Sequence, residues 1–360
     1  MKLNLFDSTG IDETKLHPKF KLLRDQPTLY GEREIVENWT DNFIDRDNKI
    51  VLEFQTTFHS TFWEFFLYRL LIEAGFTIDF SHDRPDFIIT APYEIYIEAV
   101  VAEIKKDGAK EAQRTLDDIL SMCNPPHLQT DFKELIDEAI VRNSNAILSK
   151  SKKYLNSYSD LSWINPTFPF VVAMCSFDQI NYGREYYYAM LALLFGKYYN
   201  PVTRYFDDII SIMKPNTDSE IPVGLFNDDS FSHISAIIFT CTLTFGKLTS
   251  LFNSSTNSER QLNKFVNVRH DTEEPFYKIH IVSQEVPEEL SDGLFIFHNP
   301  NAKNKLPEDF LNQTNIIQLH ANDHGCSLVG ENAPIVSRLN LSKFTFLNKS
   351  INEIFNKYNS

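Results

Sequence analysis

The sequence predicts an α/β fold in which helices flank a mixed central sheet and a strand-containing C-terminal extension follows. Segments with the period of an amphipathic helix alternate with short segments rich in Val, Ile, Phe and Tyr. The continuous apolar run at 168–177 is typical of a strand that is buried on both faces. With 42% hydrophobic residues and only 11 glycines among 360 residues, the composition is that of a globular protein with a large core.

Residues 1–48 are predicted to form an irregular lead with one helix near 32–43, and residues 49–180 are predicted to form the α/β core. The core should begin with a mainly helical stretch at 50–74, where apolar residues recur at helical spacing. Strands are predicted at 76–80, 86–90 and 94–102, which are rich in β-branched and aromatic residues. A long helix at 131–156 and the apolar strand at 168–177 complete the predicted core.

Residues 181–360 are predicted to form a C-terminal extension that packs on the core sheet or continues it, because no clear linker separates the two parts. A helix is expected at 185–196, core strands are expected at 234–245 and 294–297, and a closing helix is expected at 344–358. The segment 250–274 is polar and rich in Asn and Ser, so we expect it to be exposed.

Composition and charge argue against a membrane protein, a secreted protein and a simple nucleic-acid binder. No apolar run is long enough to span a membrane, and the first residues lack the apolar core of a signal peptide. The cysteines form no CxxC pair and are typical of reduced thiols, which favours a cytoplasmic protein; they are Cys123, Cys175, Cys241 and Cys326. The net charge of −15 argues against a simple nucleic-acid binder, since phosphate contacts need Lys and Arg.

Carboxylates stand at informative positions between residues 59 and 106. Glu64 lies on the amphipathic helix, Asp86 follows Pro85 at a turn, and Glu98 lies in the middle of the next strand. A carboxylate inside that apolar strand would be costly to bury unless it were paired or bound to a metal. Carboxylates brought together in this way are typical ligands of Mg²⁺ or Mn²⁺, and such an ion can activate water and stabilise a phosphate oxyanion.

This series of acids resembles the motif of the PD-(D/E)XK phosphodiesterases, the restriction-endonuclease-like superfamily. The family pattern is Pro-Asp, a spacer and then Glu-x-Lys, often with a glutamate on the preceding helix. Pro85, Asp86, Glu98 and Glu64 match this pattern over the first half of the chain. The resemblance implies a restriction-endonuclease-like central sheet and a metal site formed by Asp86 and Glu98, with Glu64 as a direct or water-mediated ligand.

The same resemblance implies a function. It points to a metal-dependent endonuclease that hydrolyses phosphodiester bonds in nucleic acid, with DNA favoured over RNA as the substrate and Mg²⁺ or Mn²⁺ as the cofactor. Such nucleases are common in restriction and anti-phage defence systems, so the implied partners are nucleic acid and either a second copy of the chain or another defence protein. The alternative is a protein that keeps the nuclease fold for binding or scaffolding and has lost catalysis.

One position departs from the family motif, because Val100 stands where the lysine after Glu98 is expected. Glu103-Ile104-Lys105 is a literal Glu-x-Lys, but Glu98 and Glu103 would point to opposite faces of one extended strand. Glu103 also lies at the polar end of the strand, where a solvated charge costs little. We therefore favour Glu98 as the motif glutamate.

Lys150, on the predicted helix at 131–156, is the preferred replacement for the missing lysine. Lys150-x-x-x-Tyr154 has the spacing of a supporting Gln-x-x-x-Tyr found in some of these nucleases, one helical turn apart on one face. In that role Lys150 would hold phosphate or orient the attacking water. The alternative is a solvated basic helix end formed by Lys150, Lys152 and Lys153, which also suits the helix dipole.

Two histidine-containing segments are further candidates. His320, His324 and Cys326 are residue types that bind zinc, but the two histidines would need a helix to share one face, and the surrounding Asn, Asp and Gly favour a turn. His298 ends an apolar strand, where it could line a groove or belong to a strand-terminating turn.

Overall fold

The computed structural model describes residues 3–104, 108–121, 124–177, 179–181, 183–243, 245–255, 263–271, 273–322, 325–342 and 348–360. Its α-helices are α1 (Pro18–Asp25), α2 (Tyr30–Trp39), α3 (Ile50–Thr56), α4 (His59–Glu73), α5 (Leu116–Ser121), α6 (Phe132–Lys153), α7 (Tyr188–Phe195), α8 (Phe245–Ser255) and α9 (Asn348–Tyr358). Its strands are β1 (Thr77–Asp79), β2 (Phe87–Ala91), β3 (Ile95–Ala102), β4 (Phe170–Ser176), β5 (Lys197–Asn200), β6 (Tyr205–Asp208), β7 (Ser211–Met213), β8 (Glu220–Pro222), β9 (Ala236–Thr240), β10 (Asn263–His270), β11 (Tyr277–Ile281), β12 (Phe295–His298), β13 (Ile317–Asn322), β14 (Gly325–Val329) and β15 (Ile335–Ser342). Within the described residues, no helix is both long and apolar enough to cross a membrane.

A mixed sheet forms the centre of the structure, in the order β1-β2-β3-β4-β9-β12-β13-β14. β3, β4 and β9 are parallel neighbours, whereas β1, β2 and β3 are joined in antiparallel pairs. Strands from the second half of the chain are therefore hydrogen-bonded into the same sheet as β1 to β4. The prediction of an α/β fold with a mixed sheet flanked by helices is confirmed, and the strands expected at 86–90, 94–102 and 168–177 are β2, β3 and β4.

Alternate residues of β3 pack into two hydrophobic cores, one on each face of the sheet. Ile97 belongs to the core that contains α4, where the Trp63 indole Nε1 donates a hydrogen bond to the Ala173 carbonyl of β4 at 3.0 Å. Tyr96 belongs to the other core, which contains the apolar residues of α6. The sheet therefore holds α4 and α6 on opposite faces of β3, and Glu98 lies on the face of Tyr96.

The first 48 residues contain more helix than the sequence predicts. Both α1 and α2 lie in this part of the chain, separated by a short 3₁₀ turn at Pro27–Leu29. Leu5, Phe20 and Trp39 are buried in the core that also contains α4. Helices as short as α1 are stabilised mainly by tertiary packing, so their own sequence period is a weak signal.

The expectation that residues 250–274 are exposed is wrong for the described residues of α8 and β10, apart from Ser255, although Glu273 and Glu274 are exposed. Among the described residues of this segment, α8 covers the start and β10 the middle, where Val268 is fully buried. The polar side chains are buried because they bind a buried carboxylate: Ser250 Oγ and Asn267 Nδ2 both donate hydrogen bonds to Glu288, Asn267 at 2.9 Å. For Ser250 and Asn267, polar character therefore reflects internal hydrogen bonding and not contact with solvent.

A smaller sheet has the strand order β11-β10-β15, and the Glu288 carboxylate connects it to α8. Glu288 is fully buried and accepts hydrogen bonds from Lys247 Nζ of α8 at 2.7 Å and from the Arg338 guanidinium of β15. Burial would raise the pKa of Glu288, but the charges of Arg338 and Lys247 outweigh it and lower the pKa to about 2. This carboxylate therefore stays ionised and connects α8 to the smaller sheet.

Candidate active site

Glu98 lies in the middle of β3 with only 1% of its surface exposed, and cations surround its carboxylate. Its Oε1 accepts hydrogen bonds from Lys150 Nζ and Lys153 Nζ, both at 2.8 Å, and its Oε2 accepts one from the Tyr158 hydroxyl at 3.0 Å. Burial would raise the pKa of Glu98, but the two ammonium groups outweigh burial and hold the pKa below its usual value. Glu98 is therefore a buried carboxylate that remains ionised.

The C-terminal end of α6 brings the three donors together. Lys150 and Lys153 stand about one turn apart on the helix, so both side chains reach the same face. The helix continues into a single π-helical turn at Tyr154–Tyr158, which changes the spacing of the following side chains. This wider turn allows the Tyr158 hydroxyl to reach Glu98 from the same direction as the two lysines.

Lys150 lies at the buried glutamate, as expected from the sequence, but its expected companion Tyr154 does not. The Tyr154 ring stacks on Phe170 with a centroid distance of 4.2 Å. Lys153 and Tyr158 are the contacts that the sequence analysis missed. Lys153 had a usable signal, because it follows Lys150 by one turn, whereas a π-helical turn cannot be recognised from regular helical spacing.

Asp86 stands immediately before β2 and is half-buried. Its Oδ2 accepts a hydrogen bond from the Ala99 amide at 2.7 Å, which ties Asp86 to the strand that carries Glu98. Burial, followed by the charge of Glu98, raises the pKa of Asp86 to about 6, although Lys150 opposes this increase. The two acids of the Pro-Asp and strand-glutamate motif are therefore close enough for one to affect the ionisation of the other.

Glu64 reaches the same cluster from α4 and is half-buried. Burial, followed by the charge of Asp86, raises the pKa of Glu64 to about 8, while Arg46 and Lys150 act in the opposite direction. The positive charge of Lys150 lowers the pKa of all three acids. Glu64, Asp86, Glu98 and Lys150 therefore form one electrostatic cluster, although they come from separate parts of the chain.

The arrangement suits a metal ion at two of the acids better than at all three. Glu98 faces the core that contains α6, whereas Glu64 is carried by α4, which packs on the other face of the sheet. Among the described residues, no group of three or more His, Cys, Asp or Glu side chains is placed to hold a metal. Mg²⁺ commonly binds one or two carboxylates together with substrate phosphate, and Glu64 and Asp86 are carboxylates that affect each other's ionisation. Glu98 already accepts two hydrogen bonds at Oε1 and one at Oε2, so the remaining acceptor site of this carboxylate lies on Oε2.

The structure describes only part of the literal motif Glu103-Ile104-Lys105. Glu103 follows the end of β3 and is exposed, which agrees with the preference for Glu98. Lys105 lies outside the described residues.

The candidate zinc segment forms a β-hairpin in its described part, since His320 lies in β13, Cys326 lies in β14, and the two strands are antiparallel. His324 lies outside the described residues. His298, at the end of β12, stacks on His320 with a centroid distance of 4.2 Å, and its Nε2 lies 2.6 Å from Gln318 Oε1. The ring of His298 is therefore engaged with its neighbours in the sheet.

Comparisons with models of protein families, with curated proteins and with solved structures found no match to this chain.

Proposed function

We propose that this chain is a metal-dependent nuclease that hydrolyses phosphodiester bonds, with DNA as the first candidate substrate. We also propose that it acts in the cytoplasm, in a restriction or anti-phage defence system. One observation carries the proposal: Lys150 Nζ donates to Glu98 Oε1 at 2.8 Å. A buried carboxylate and an ammonium group from a different element thus meet where the family motif has Glu-x-Lys, and Asp86 lies beside them.

Each residue of the cluster has a distinct role in the proposed reaction. Glu64 and Asp86 offer hard oxygen ligands to Mg²⁺ or Mn²⁺. When bound, such an ion supplies Lewis-acid stabilisation of the phosphate and a bound water of lowered pKa. Lys150 stabilises the negative charge that builds on the phosphate oxygens as water attacks. Glu98 orients the Lys150 ammonium group through the hydrogen bond that its Oε1 accepts.

A second candidate is a protein that keeps this fold for binding or scaffolding and lacks catalysis. The observation that favours it is that protein groups already bind Glu98, because both of its carboxylate oxygens accept hydrogen bonds from side chains. In such a protein the lysines would serve only to stabilise a buried charge. The net charge of −15 also provides little general attraction for nucleic acid.

A nuclease assay with purified protein separates the two candidates. Single-stranded and double-stranded DNA and RNA are incubated with wild-type protein and Mg²⁺ or Mn²⁺, beside Asp86→Asn and Lys150→Ala. Asp86→Asn should abolish cleavage, and Lys150→Ala should lower the rate by about 10²-fold or more, the scale of losing one preorganised stabilising group. Lys152→Ala is the matched control, since Lys152 stands at the same helix end with an exposed side chain, and it should cleave at the wild-type rate.

The possible outcomes differ clearly. Absence of cleavage by the wild type on every substrate, together with equal Mn²⁺ binding by wild type and Asp86→Asn in calorimetry, would refute the nuclease and favour the second candidate. An active wild type that loses cleavage in Lys105→Ala but not in Lys150→Ala would assign the motif lysine to Lys105. Melting temperatures of all variants show whether any loss comes from unfolding.

A further inference from the structure

The segment that delivers Asp86 is held by side chains from two distant parts of the chain. It runs from the end of β1 to the start of β2 and is largely exposed or half-buried. Arg46, which lies between α2 and α3, uses Nη1 to donate hydrogen bonds to the His82 carbonyl at 2.6 Å and to the Pro85 carbonyl at 3.5 Å. One half-buried guanidinium group therefore joins both ends of the 82–85 segment.

Trp163, in the loop before β4, holds the same segment by two further contacts. Its ring lies parallel to the His82 ring, with a centroid distance of 4.4 Å and an interplanar angle of 1°. Its indole Nε1 donates a hydrogen bond to the Arg84 carbonyl at 3.0 Å. Trp163 is itself anchored to β3, because its carbonyl accepts a hydrogen bond from the Tyr96 hydroxyl at 3.2 Å. The strand of Glu98 and the loop of Asp86 are thus connected through one tryptophan.

We propose that Arg46 and Trp163 are positioning residues that hold the 82–85 segment and thereby fix the Asp86 carboxylate beside Glu98 and Glu64. The proposal rests on the proposed function only in treating Asp86 as a metal ligand. Neither Arg46 nor Trp163 was singled out by the sequence motif, because each acts on backbone carbonyls and not on the carboxylates themselves.

Physical reasons favour a positioning role over simple attachment of a surface loop. Ordering an exposed backbone segment costs conformational entropy, so three carbonyls bound by only two side chains indicate a segment that is kept in one conformation. The segment ends at Asp86, where a displacement of about 1 Å would alter ligand geometry enough to affect binding or rate. Loss of the groups that orient a metal ligand typically weakens metal binding by about 10- to 100-fold.

The test compares Arg46→Met and Trp163→Phe with a matched arginine. Trp163→Phe keeps a ring that can stack on His82 and removes the Nε1–H donor. Arg33 makes the same kind of contact elsewhere, because its Nη1 donates to the Leu23 and Gln26 carbonyls, both at 2.8 Å, and its side chain is also half-buried. Arg33→Met therefore controls for the loss of an arginine that ties backbone carbonyls.

Two measurements are made on each protein: metal-free amide hydrogen exchange of Ser81 and Ala99, whose N–H groups donate to Asp79 Oδ1 at 2.8 Å and to Asp86 Oδ2 at 2.7 Å, and Mn²⁺ affinity by calorimetry. Arg46→Met should speed exchange at these two amides by about tenfold or more and weaken Mn²⁺ binding by about tenfold or more. Trp163→Phe should shift both quantities in the same direction by a smaller factor. Arg33→Met should leave the exchange rates and the Mn²⁺ affinity within about twofold of wild type, even if its melting temperature falls as much as that of Arg46→Met.

Each result decides the proposal. Unchanged Mn²⁺ affinity in Arg46→Met, with faster exchange, would mean attachment without positioning and would overturn it. Unchanged exchange in both variants would also overturn it, and the proposed nuclease would then stand or fall by its own assay. Where the wild type binds no Mn²⁺, the metal site of the proposed function fails, and exchange alone decides whether Arg46 and Trp163 hold the segment.

Discussion

Replacement of Lys150 by Met should destabilise the protein by about 2–3 kcal/mol, because it removes a cation from a carboxylate that is 1% exposed. At an effective dielectric constant of about 20, unit charges 2.8 Å apart attract by about 6 kcal/mol. Part of this attraction only offsets the cost of removing both charges from water. Lys153 is equally close to Glu98 Oε1, so after the substitution it still supplies about half of the attraction that stabilises the buried charge of Glu98.

A double-mutant cycle measures the interaction itself. Glu98→Gln removes the carboxylate charge and keeps an oxygen that can accept a hydrogen bond from Tyr158. The double variant, Lys150→Met with Glu98→Gln, has neither an uncompensated carboxylate nor its main cation. It should therefore be less destabilised than the sum of the two single variants by about 1–2 kcal/mol.

The assay is urea unfolding of metal-free protein near neutral pH, with all four proteins of the cycle measured in one buffer. Lys152→Met is the matched control, because Lys152 is exposed at the same helix end, and it should change the free energy of unfolding by less than about 0.5 kcal/mol. If the two substitutions prove additive within error, the Lys150–Glu98 contact does not stabilise the protein, and the assignment of Lys150 as the main partner of the buried charge is wrong.

Three further predictions concern buried charges and their partners. Burial is the largest cause that raises the pKa of Glu64 from the ordinary 4.5 to about 8. Between these two pH values the folded protein keeps a proton that the unfolded chain releases. The free energy of unfolding therefore falls as the pH rises through this range. Glu64→Gln should therefore gain about 1–3 kcal/mol relative to wild type between about pH 5 and about pH 9 in urea titrations, and a pH-independent difference would contradict this. Lys247→Met leaves the fully buried Glu288 short of a cation and should lower the free energy of unfolding by about 3–5 kcal/mol in the same assay; a loss below about 1 kcal/mol would count against a structural role of the pair. Tyr158→Phe removes a donor to the ionised Glu98 and should cost about 1.5–3 kcal/mol; wild-type stability would show that water replaces the hydroxyl.

Local sequence determined the strands that carry the candidate site. The bounds of β2 and β3 lie within one residue of the expected positions and those of β4 within two, because their β-branched and aromatic residues are dense enough to specify strands without tertiary information. Glu98 was also recognisable, since a single carboxylate inside an apolar strand must find a partner when it is buried. The Lys150-x-x-x-Tyr154 spacing predicts Lys150 at the site, although the Tyr154 ring stacks on Phe170 instead.

Tertiary structure decided which groups meet the carboxylate and where polar segments lie. Tyr158 reaches Glu98 through a π-helical turn, which regular spacing does not reveal. The polar residues Ser250 and Asn267 are inside because Glu288, distant in sequence, accepts their hydrogen bonds. Arg46 holds the loop before Asp86 by binding carbonyl oxygens, and every residue has a carbonyl, so no side-chain pattern marks that contact. Secondary structure follows from neighbours along the chain, whereas these contacts depend on neighbours in space, which the sequence specifies only through the complete fold.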